Sequence, residues 1–420
     1  MADDGRSDDG YDADDHHDPR LTDPVHRTLA GVLDAARPNT DGAVADYIPE
    51  LADVDPEPIA IALASTRGSV HEAGDSRVEF TIQSASKPFV FALALDALGL
   101  DTLTRHVGLE PSGEPFNAIS LEASGRPDNP MINAGAIVAT SLMGGETTEQ
   151  KFREIRKGLS RFAGRELELD ESVYASEAAT GDRNRALAYL THAAGTLAAP
   201  VDVATDAYFR QCALVVTTRD LAVMAATLAT GGINPLTRER VISADAARWT
   251  TSMMTSCGMY DASGEWLLRV GLPAKSGVGG GIVALQPEQF GVGTFSPRLD
   301  ERGNSVRGVE MLTTMSERYG LHMLDPRGEP LSPIASLDPD DGTTVALLRG
   351  DIRFAGMEEV LTRLLPLVND DGCLVLDFTG VTRVGGGASR VFRGVVDLAG
   401  TNPDGRARVE IRDPDGVLRD

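Results

Sequence analysis

Lysine is scarce in this 420-residue chain. It has four lysines, and its 39 Lys and Arg residues together are outnumbered by 63 acidic residues, so the formal net charge is -24. A chain this acidic repels phosphate backbones and anionic headgroups. We therefore expect neither nucleic acid nor a membrane surface as a partner.

Cysteine is also rare, and its placement argues against two kinds of architecture. The number of cysteines is odd, and none of the three, Cys212, Cys257 and Cys373, forms a C-x-x-C motif. This disfavours a disulfide framework and a zinc site. No stretch is apolar enough to span a bilayer, and the amino terminus lacks a basic segment followed by an apolar one. We expect a cytoplasmic protein without a metal or other cofactor.

Composition and periodicity divide the chain into four parts. Residues 1–22 are rich in Asp and contain a His-His pair; these side chains can bind metals, but such a run is typical of a disordered acidic tail. Residues 23–324 form the main domain. The stretch 325–342, rich in Pro, Asp and Ser, is typical of a linker. Residues 343–420 form a small second domain.

The order of predicted elements indicates the fold class. Strands are expected near 59–64 and 291–296, with mainly helical periodicity over 101–255. Strands at both ends with helices between them predict an α/β fold with a helical subdomain. From 344 to 412 strands and helices alternate, which predicts a β-α-β-α-β unit with parallel strands.

One short motif in the main domain carries the chemistry. Ser84-Ala-Ser-Lys87 follows a predicted strand and precedes an apolar helix over Phe89 to Leu98. Residues three apart share a helix face, so the Ser84 hydroxyl can approach the Lys87 amine. A helix start also offers unpaired amides to a reacting serine. We assign Ser86 no nucleophilic role, because only Ser84 has this spacing to lysine.

A second lysine motif completes the pattern. Serine β-lactamases and penicillin-binding proteins pair Ser-x-x-Lys with Lys-Thr-Gly, in which serine commonly replaces threonine. Lys275-Ser276-Gly277 supplies that partner, so two of the four lysines occupy motif positions. This combination predicts a serine acyl-enzyme. Lys151 and Lys157 are predicted to be surface charges.

Around these motifs, over about residues 24 to 323, the chain resembles the serine-dependent glutaminases of the penicillin-recognising fold. The matching segments, in order, are Val44-Ala-Asp-Tyr-Ile-Pro49, Gln83-Ser-Ala-Ser-Lys87, Glu110-Pro-Ser-Gly113, Asn129-Pro-Met-Ile-Asn-Ala-Gly-Ala136, Ser176-Glu177, Gly181-Asp-Arg-Asn184, Tyr208-Phe-Arg-Gln-Cys212, Cys257-Gly-Met-Tyr-Asp261, Leu272-Pro-Ala-Lys-Ser-Gly-Val278 and Ser296-Pro-Arg-Leu-Asp300. The resemblance implies a serine β-lactamase-like sheet flanked by helices, with a helical subdomain. It also implies hydrolysis of L-glutamine to L-glutamate and ammonia.

The resemblance implies catalytic roles. Ser84 would attack the side-chain amide of glutamine and form a glutamyl ester that water cleaves. Either Lys87 or Tyr260 would take the serine proton, and the sequence leaves that choice open. Lys275 would lower the pKa of either group. The backbone amides of Ser84 and Val278 would hold the developing oxyanion.

The resemblance also implies how the amino-acid end of glutamine is bound. Glu177 would be the counter-ion of the α-ammonium group, and Asn133 and Asn184 would donate to the α-carboxylate. Tyr47 and Tyr208 would close the pocket. The remaining expected substrate contacts are Ser84, Tyr260 and Val278.

The small domain resembles a STAS domain, the fold of anti-sigma factor antagonists. Leu374-Val-Leu-Asp377-Phe-Thr-Gly-Val381 is similar to its central strand and the loop after it. The family's phosphoacceptor loop corresponds to Val384-Gly-Gly-Gly-Ala388, which has no hydroxyl before Ser389, so phosphorylation there is not expected. The resemblances imply a regulatory protein or small ligand as this domain's partner, and a homo-oligomer, either dimer or tetramer.

The motifs leave two alternative functions. A β-lactamase-like esterase or penicillin-binding-type hydrolase would share Ser84, Lys87 and Lys275, but Glu177 would repel the carboxylate of a penicillin. A non-catalytic sensor or scaffold, acting through the STAS-like domain, would not need the intact motif set.

Overall fold

The computed structural model divides the chain near residue 325, into Met1–Asp325 and Pro326–Asp420. The predicted acidic tail lies outside the described residues. Within the described ranges no helix is long and apolar enough to cross a membrane, and no three His, Cys, Asp or Glu side chains are placed to hold a metal ion. The described ranges are 23–112, 121–325, 331–340, 342–368, 372–402 and 405–418.

An antiparallel five-stranded sheet forms the centre of the first unit. The strands of this unit are β1 Ala60–Ser65, β2 Val70–Gly74, β3 Phe80–Thr81, β4 Val215–Val216, β5 Ala274–Ser276, β6 Gly281–Gln286 and β7 Phe290–Phe295. The sheet has the order β2-β1-β7-β6-β5, and β3 pairs separately with β4. As predicted, its strands come from both ends of the unit.

Helices cover both faces of this sheet and fill the chain between its strands. Their bounds are α1 Pro24–Ala36, α2 Pro49–Ala52, α3 Lys87–Leu98, α4 Leu100–Leu103, α5 Asn133–Ser141, α6 Thr148–Ala163, α7 Glu171–Thr180, α8 Asp182–Ala193, α9 Val201–Cys212, α10 Thr218–Ala229, α11 Ala244–Cys257, α12 Ser263–Arg269 and α13 Val306–Tyr319. Local chemistry fixes their ends. For example, Thr147 and Gln150 form a capping box at the start of α6, and Gly164 ends it with φ 73°.

Alternation along β6 explains how both faces of the sheet become core. Ile282 and Ala284 pack in the cluster that contains residues of α1 and α13, whereas Val283 and Leu285 pack in the cluster of the helical part. On β7, a Cβ atom at Gly291 would lie 2.2 Å from the backbone nitrogen of Ala226 in α10. Glycine there lets α10 lie directly on the strand.

A four-stranded sheet forms the second unit. Its strands are β8 Ile334–Asp340, β9 Thr343–Ile352, β10 Cys373–Val384 and β11 Val409–Arg412, and its helices are α14 Phe354–Leu364 and α15 Gly386–Ala399. The order is β11-β10-β9-β8. Strands β9, β10 and β11 are parallel, as the alternating pattern predicted.

Strand β8 corrects the predicted linker. Within 325–342, Ile334–Asp340 is a strand that pairs antiparallel with β9. Its Pro and Asp content suggested a linker, but an edge strand pairs on one side only and tolerates proline. The second unit therefore begins before residue 343, and residues 326–330 and 341 of the stretch lie outside the described residues.

Candidate active site

Ser84 lies where a strand leads into a helix, as predicted. A 3-10 turn, Gln83–Ser86, connects β3 to α3, which begins at Lys87. Ser84 is 6% exposed and Lys87 is 1% exposed. Both side chains therefore sit in a nearly dry environment.

The glycines after β5 bring Val278 up to this turn. A Cβ atom at Gly277 would lie 3.1 Å from the backbone nitrogen of Ala85, and one at Gly279 would lie 2.7 Å from the carbonyl oxygen of Thr81. Any larger residue would push the two segments apart. Because of this approach Val278 and Ser84 line one cavity.

Three buried groups next to Ser84 could exchange its proton. The amine of Lys87 donates to Oδ1 of Asn133 at 2.7 Å. The amine of Lys275 lies 3.8 Å from the ring centroid of Tyr260, whose hydroxyl donates to the carbonyl of Ser276 at 3.0 Å. Tyr260 is therefore next to the Lys275 amine, and the Lys87 amine is next to Asn133.

The pKa shifts of these groups separate the two candidate bases. Burial lowers the pKa of Lys87 to about 8, against an opposing effect of Cys212. Burial and then the charge of Lys87 lower the pKa of Lys275 well below its usual range. Burial raises the pKa of Tyr260, although a hydrogen bond with Ser84 opposes the rise. A neutral Lys87 is thus far more accessible near neutral pH than a Tyr260 phenolate.

A cavity of about 270 Å³ opens in front of Ser84. Of the predicted site residues, Lys87, Tyr260 and Lys275 do not line it. The lining residues are Tyr47, Gln83, Ser84, Asn133, Glu177, Thr180, Gly181, Arg183, Asn184, Tyr208, Cys212 and Val278. A larger cavity of about 520 Å³ beside α6 contains none of the predicted site residues.

The cavity is also lined by a buried acid. Glu177 is 6% exposed and accepts a hydrogen bond of 2.8 Å from the Tyr47 hydroxyl. Burial raises the pKa of Glu177, and hydrogen bonds from Tyr47 and Gln83 oppose the rise. A cationic group entering the cavity can pair with this carboxylate, and the cavity is also lined by Arg183.

Asn133 links Lys87 to two other residues that line the cavity. Its amide nitrogen donates to Oδ1 of Asn184 at 3.0 Å, and its oxygen accepts from Lys87 and, at 3.4 Å, from Tyr208. Five lining residues were not among the predicted site residues: Gln83, Thr180, Gly181, Arg183 and Cys212. Gln83 immediately precedes the nucleophile, and Cys212 is four residues after Tyr208 on α9, so helical spacing could have found it.

The glutaminase family model matches residues 42–324. The chain belongs to the glutaminase family. It is 43% identical over 403 residues to the glutaminase of Corynebacterium glutamicum, a match that covers 95% of this chain and 97% of that one. It is 55% identical over 302 residues to glutaminase 1 of Bradyrhizobium diazoefficiens, which covers 72% of this chain and 49% of the relative. The chain thus spans about half the length of the Bradyrhizobium relative.

Comparison with solved structures finds the same similarity. The crystal structure of Mglu superposes with a TM-score of 0.85 and 43% identity, covering 94% of this chain and 99% of Mglu. A match of that extent reaches into both units, whereas the family model ends just before their boundary. The predicted glutaminase function and the mixed α/β fold are confirmed, and these relatives give no support to the two alternative functions.

Proposed function

We propose that this glutaminase hydrolyses L-glutamine to L-glutamate and ammonia through a glutamyl ester on Ser84. The observation that carries the proposal is that Ser84 and Glu177 line one cavity together with Asn133, to which the buried Lys87 amine donates. Glutamine has an amide at one end and an α-ammonium group at the other, which fits this separation of roles. A glutamate form of Mglu has also been solved.

The α-ammonium group of glutamine pairs with the Glu177 carboxylate. Burial strengthens this attraction, because little water screens it. The Tyr47 hydroxyl, which donates to Glu177 at 2.8 Å, holds the carboxylate in place. The amide of Asn184 and the hydroxyl of Tyr208 provide donors for the α-carboxylate, which positions the side-chain amide at Ser84.

The reaction proceeds in two steps. Neutral Lys87 takes the proton of the Ser84 hydroxyl as its oxygen bonds to the amide carbon, and the backbone amides of Ser84 and Val278 donate to the oxyanion. Lys87 then protonates the amide nitrogen as the C–N bond breaks, which releases ammonia. Water attacks the ester carbon and gives a proton to Lys87, which passes it to the Ser84 oxygen as the ester C–O bond breaks, so that glutamate leaves and both groups are restored.

Tyr260 and Lys275 support this base rather than replace it. The Tyr260 hydroxyl is hydrogen bonded with Ser84 and holds the serine oxygen in place. The Lys275 amine packs on the Tyr260 ring, and burial lowers its pKa, which favours the neutral amine. Protonation of Lys275 would add a charge that disfavours proton uptake by Lys87.

We further propose that the second unit is a STAS-like domain with a regulatory protein or a small ligand as its partner. Parallel strands β9, β10 and β11 with α14 and α15 support this proposal. Ser389, the first hydroxyl after the glycines, is 3% exposed and donates to the carbonyl of Leu418. Its burial supports the expectation that this loop is not phosphorylated. The homo-oligomer and the cytoplasmic location stay predictions.

One assay tests the proposed function. Ammonia release from L-glutamine by the purified full-length protein should be readily measured, and a chromogenic β-lactam offered in parallel should not be hydrolysed. Turnover of the β-lactam alone would support the β-lactamase-like alternative. Turnover of neither compound would support the sensor or scaffold.

A further inference from the structure

A buried chain of hydrogen bonds lies directly behind the nucleophile turn. Thr140 Oγ1 donates to Oε1 of Gln211 at 2.8 Å, and Nε2 of Gln211 donates to Oγ of Ser86 at 2.9 Å. Ser86 Oγ in turn donates to the backbone carbonyl of Gln83 at 2.7 Å. Thr140, Gln211 and Ser86 are each 0% exposed. The proposed reaction uses none of these three side chains.

The last acceptor determines which group donates in each of these hydrogen bonds. A backbone carbonyl can only accept, so the Ser86 hydroxyl must donate to Gln83. Gln211 must then present its amide N–H to Ser86 and its oxygen to Thr140. Each of the three hydrogen bonds therefore has a defined donor and a defined acceptor, which makes the arrangement rigid.

These hydrogen bonds also connect the nucleophile turn to two helices that contribute residues to the substrate cavity. Thr140 lies in α5, which begins at Asn133, and Gln211 lies in α9 beside Tyr208. Asn133 and Tyr208 both line the cavity. The turn is therefore held in register with the elements that surround the substrate.

Gln83, whose carbonyl is the last acceptor in this series of hydrogen bonds, has a strained backbone. Its φ is +48°, in the left-handed region that a residue with a Cβ atom adopts only when its surroundings hold it there. Gln83 directly precedes Ser84, so its backbone sets the direction in which the Ser84 side chain leaves the turn. Loss of the strained conformation would turn the nucleophile away from the cavity.

We propose that Ser86 and Gln211 are positioning residues for the glutaminase reaction. They hold Gln83 in its left-handed conformation and thereby aim the Ser84 hydroxyl at the substrate amide. This inference rests on the proposed role of Ser84 as the nucleophile. Ser86 and Gln211 act through the backbone, since neither lines the cavity.

The test compares kcat and KM for L-glutamine in the full-length protein. Ser86→Ala removes the donor to Gln83 and should lower kcat about 10- to 100-fold, because a small misplacement of a reacting group has that effect. KM should change little, since the groups that bind the amino-acid end of glutamine remain. Gln211→Leu removes the hydrogen bond to Ser86, one bond farther from Gln83, and should also lower kcat. The double variant should be no slower than the slower single variant, because both act through one path.

Ser141→Ala is the matched control. Ser141 is 3% exposed, donates to the carbonyl of Val138 three residues earlier at 2.7 Å, and accepts from the backbone nitrogen of Ala198 at 3.0 Å. This pattern repeats that of Ser86, outside the catalytic turn. Ser141→Ala should lower Tm as Ser86→Ala does and leave kcat unchanged.

The outcomes separate the two proposals. Wild-type kcat in Ser86→Ala, or equal kcat losses in Ser86→Ala and Ser141→Ala, would overturn the positioning role while the glutaminase reaction stands. If Ser86→Ala fails to fold, Gln211→Leu gives the same decision one bond farther along the chain. Absence of glutamine turnover in the wild-type protein would overturn the proposed function and this inference with it.

Discussion

The two site lysines and the lysine behind α5 are all closed off from solvent, but they have different neighbours. Lys87, Lys275 and Lys151 are 1%, 0% and 2% exposed. The amine of Lys151 donates to the backbone carbonyls of Ser141, at 3.0 Å, and Met143. These carbonyls lie at the C-terminal end of α5, which favours a positive charge.

The site lysines also donate to carbonyl oxygens, Lys87 to the side-chain amide of Asn133 and Lys275 to the backbone of Ser276. Burial nevertheless lowers the pKa of both, and the charge of Lys87 lowers that of Lys275 further. Burial lowers the pKa of Lys151 as well, so burial alone does not identify a base. What distinguishes the two regions is a second amine: the charge of Lys87 lowers the pKa of Lys275, whereas burial is the sole cause of the shift at Lys151.

Replacing the site lysine should have the largest effect on catalysis. Lys87→Ala removes the proposed base and should lower kcat/KM about 10²- to 10⁴-fold, the usual contribution of general base catalysis. Steady-state ammonia release measures this loss, and circular dichroism verifies the fold. Lys157→Ala, at an exposed position, is the control and should match the wild type. Near-normal activity in Lys87→Ala would assign the base role elsewhere.

The pH dependence of the wild-type enzyme should follow the Lys87 amine. The base must be neutral, and the neutral fraction rises with pH until it passes the pKa of about 8. The value of kcat/KM should therefore increase about tenfold per pH unit below that value and level off above it. A profile of initial rates between pH 6 and 9.5 provides the measurement. A flat profile would contradict a lysine base.

Replacing the lysine behind α5 should affect stability rather than catalysis. Lys151→Met retains a long side chain but leaves two carbonyls without their donor, which should lower the free energy of unfolding by about 1–3 kcal/mol. Urea denaturation measures this change. At a temperature where the variant is folded, kcat for glutamine should equal that of the wild type. A large loss of kcat without loss of stability would erase the distinction between the two regions.

Removing the second unit should have the smallest effect. Both lysine environments lie in Met1–Asp325, so deletion of residues 326–420 should leave glutamine turnover measurable. The deletion starts at 326 rather than 343 because β8 belongs to the second sheet. A folded truncation without activity would show that the site needs the second unit.

Sequence patterns correctly predicted those helices and strands that are determined by neighbouring residues in the sequence. The strand before Ser84, the helix after it and the alternating strands and helices of the second unit follow from periodicity and from turn residues. The candidate site was predicted because two lysine motifs and a family resemblance named its residues. The structure adds that the predicted substrate contacts other than Tyr260 line one cavity, and that Lys87, Tyr260 and Lys275 do not line it.

The prediction that Lys151 is a surface charge was wrong, whereas that for Lys157 is confirmed. Lys151 shares the apolar face of α6 with Ile155, Leu159 and Phe162, so helical spacing could have predicted its burial. Its carbonyl partners lie on another element, and no local pattern names them. The same holds for the Ser86 and Gln211 pair, which are 125 residues apart in the chain.

Glutamine turnover by Ser84→Ala tests the central claim most directly. The account predicts that the folded variant releases no ammonia from L-glutamine above background, because without the hydroxyl no glutamyl ester can form. Turnover that persists in Ser84→Ala at a rate comparable to the wild type would contradict it.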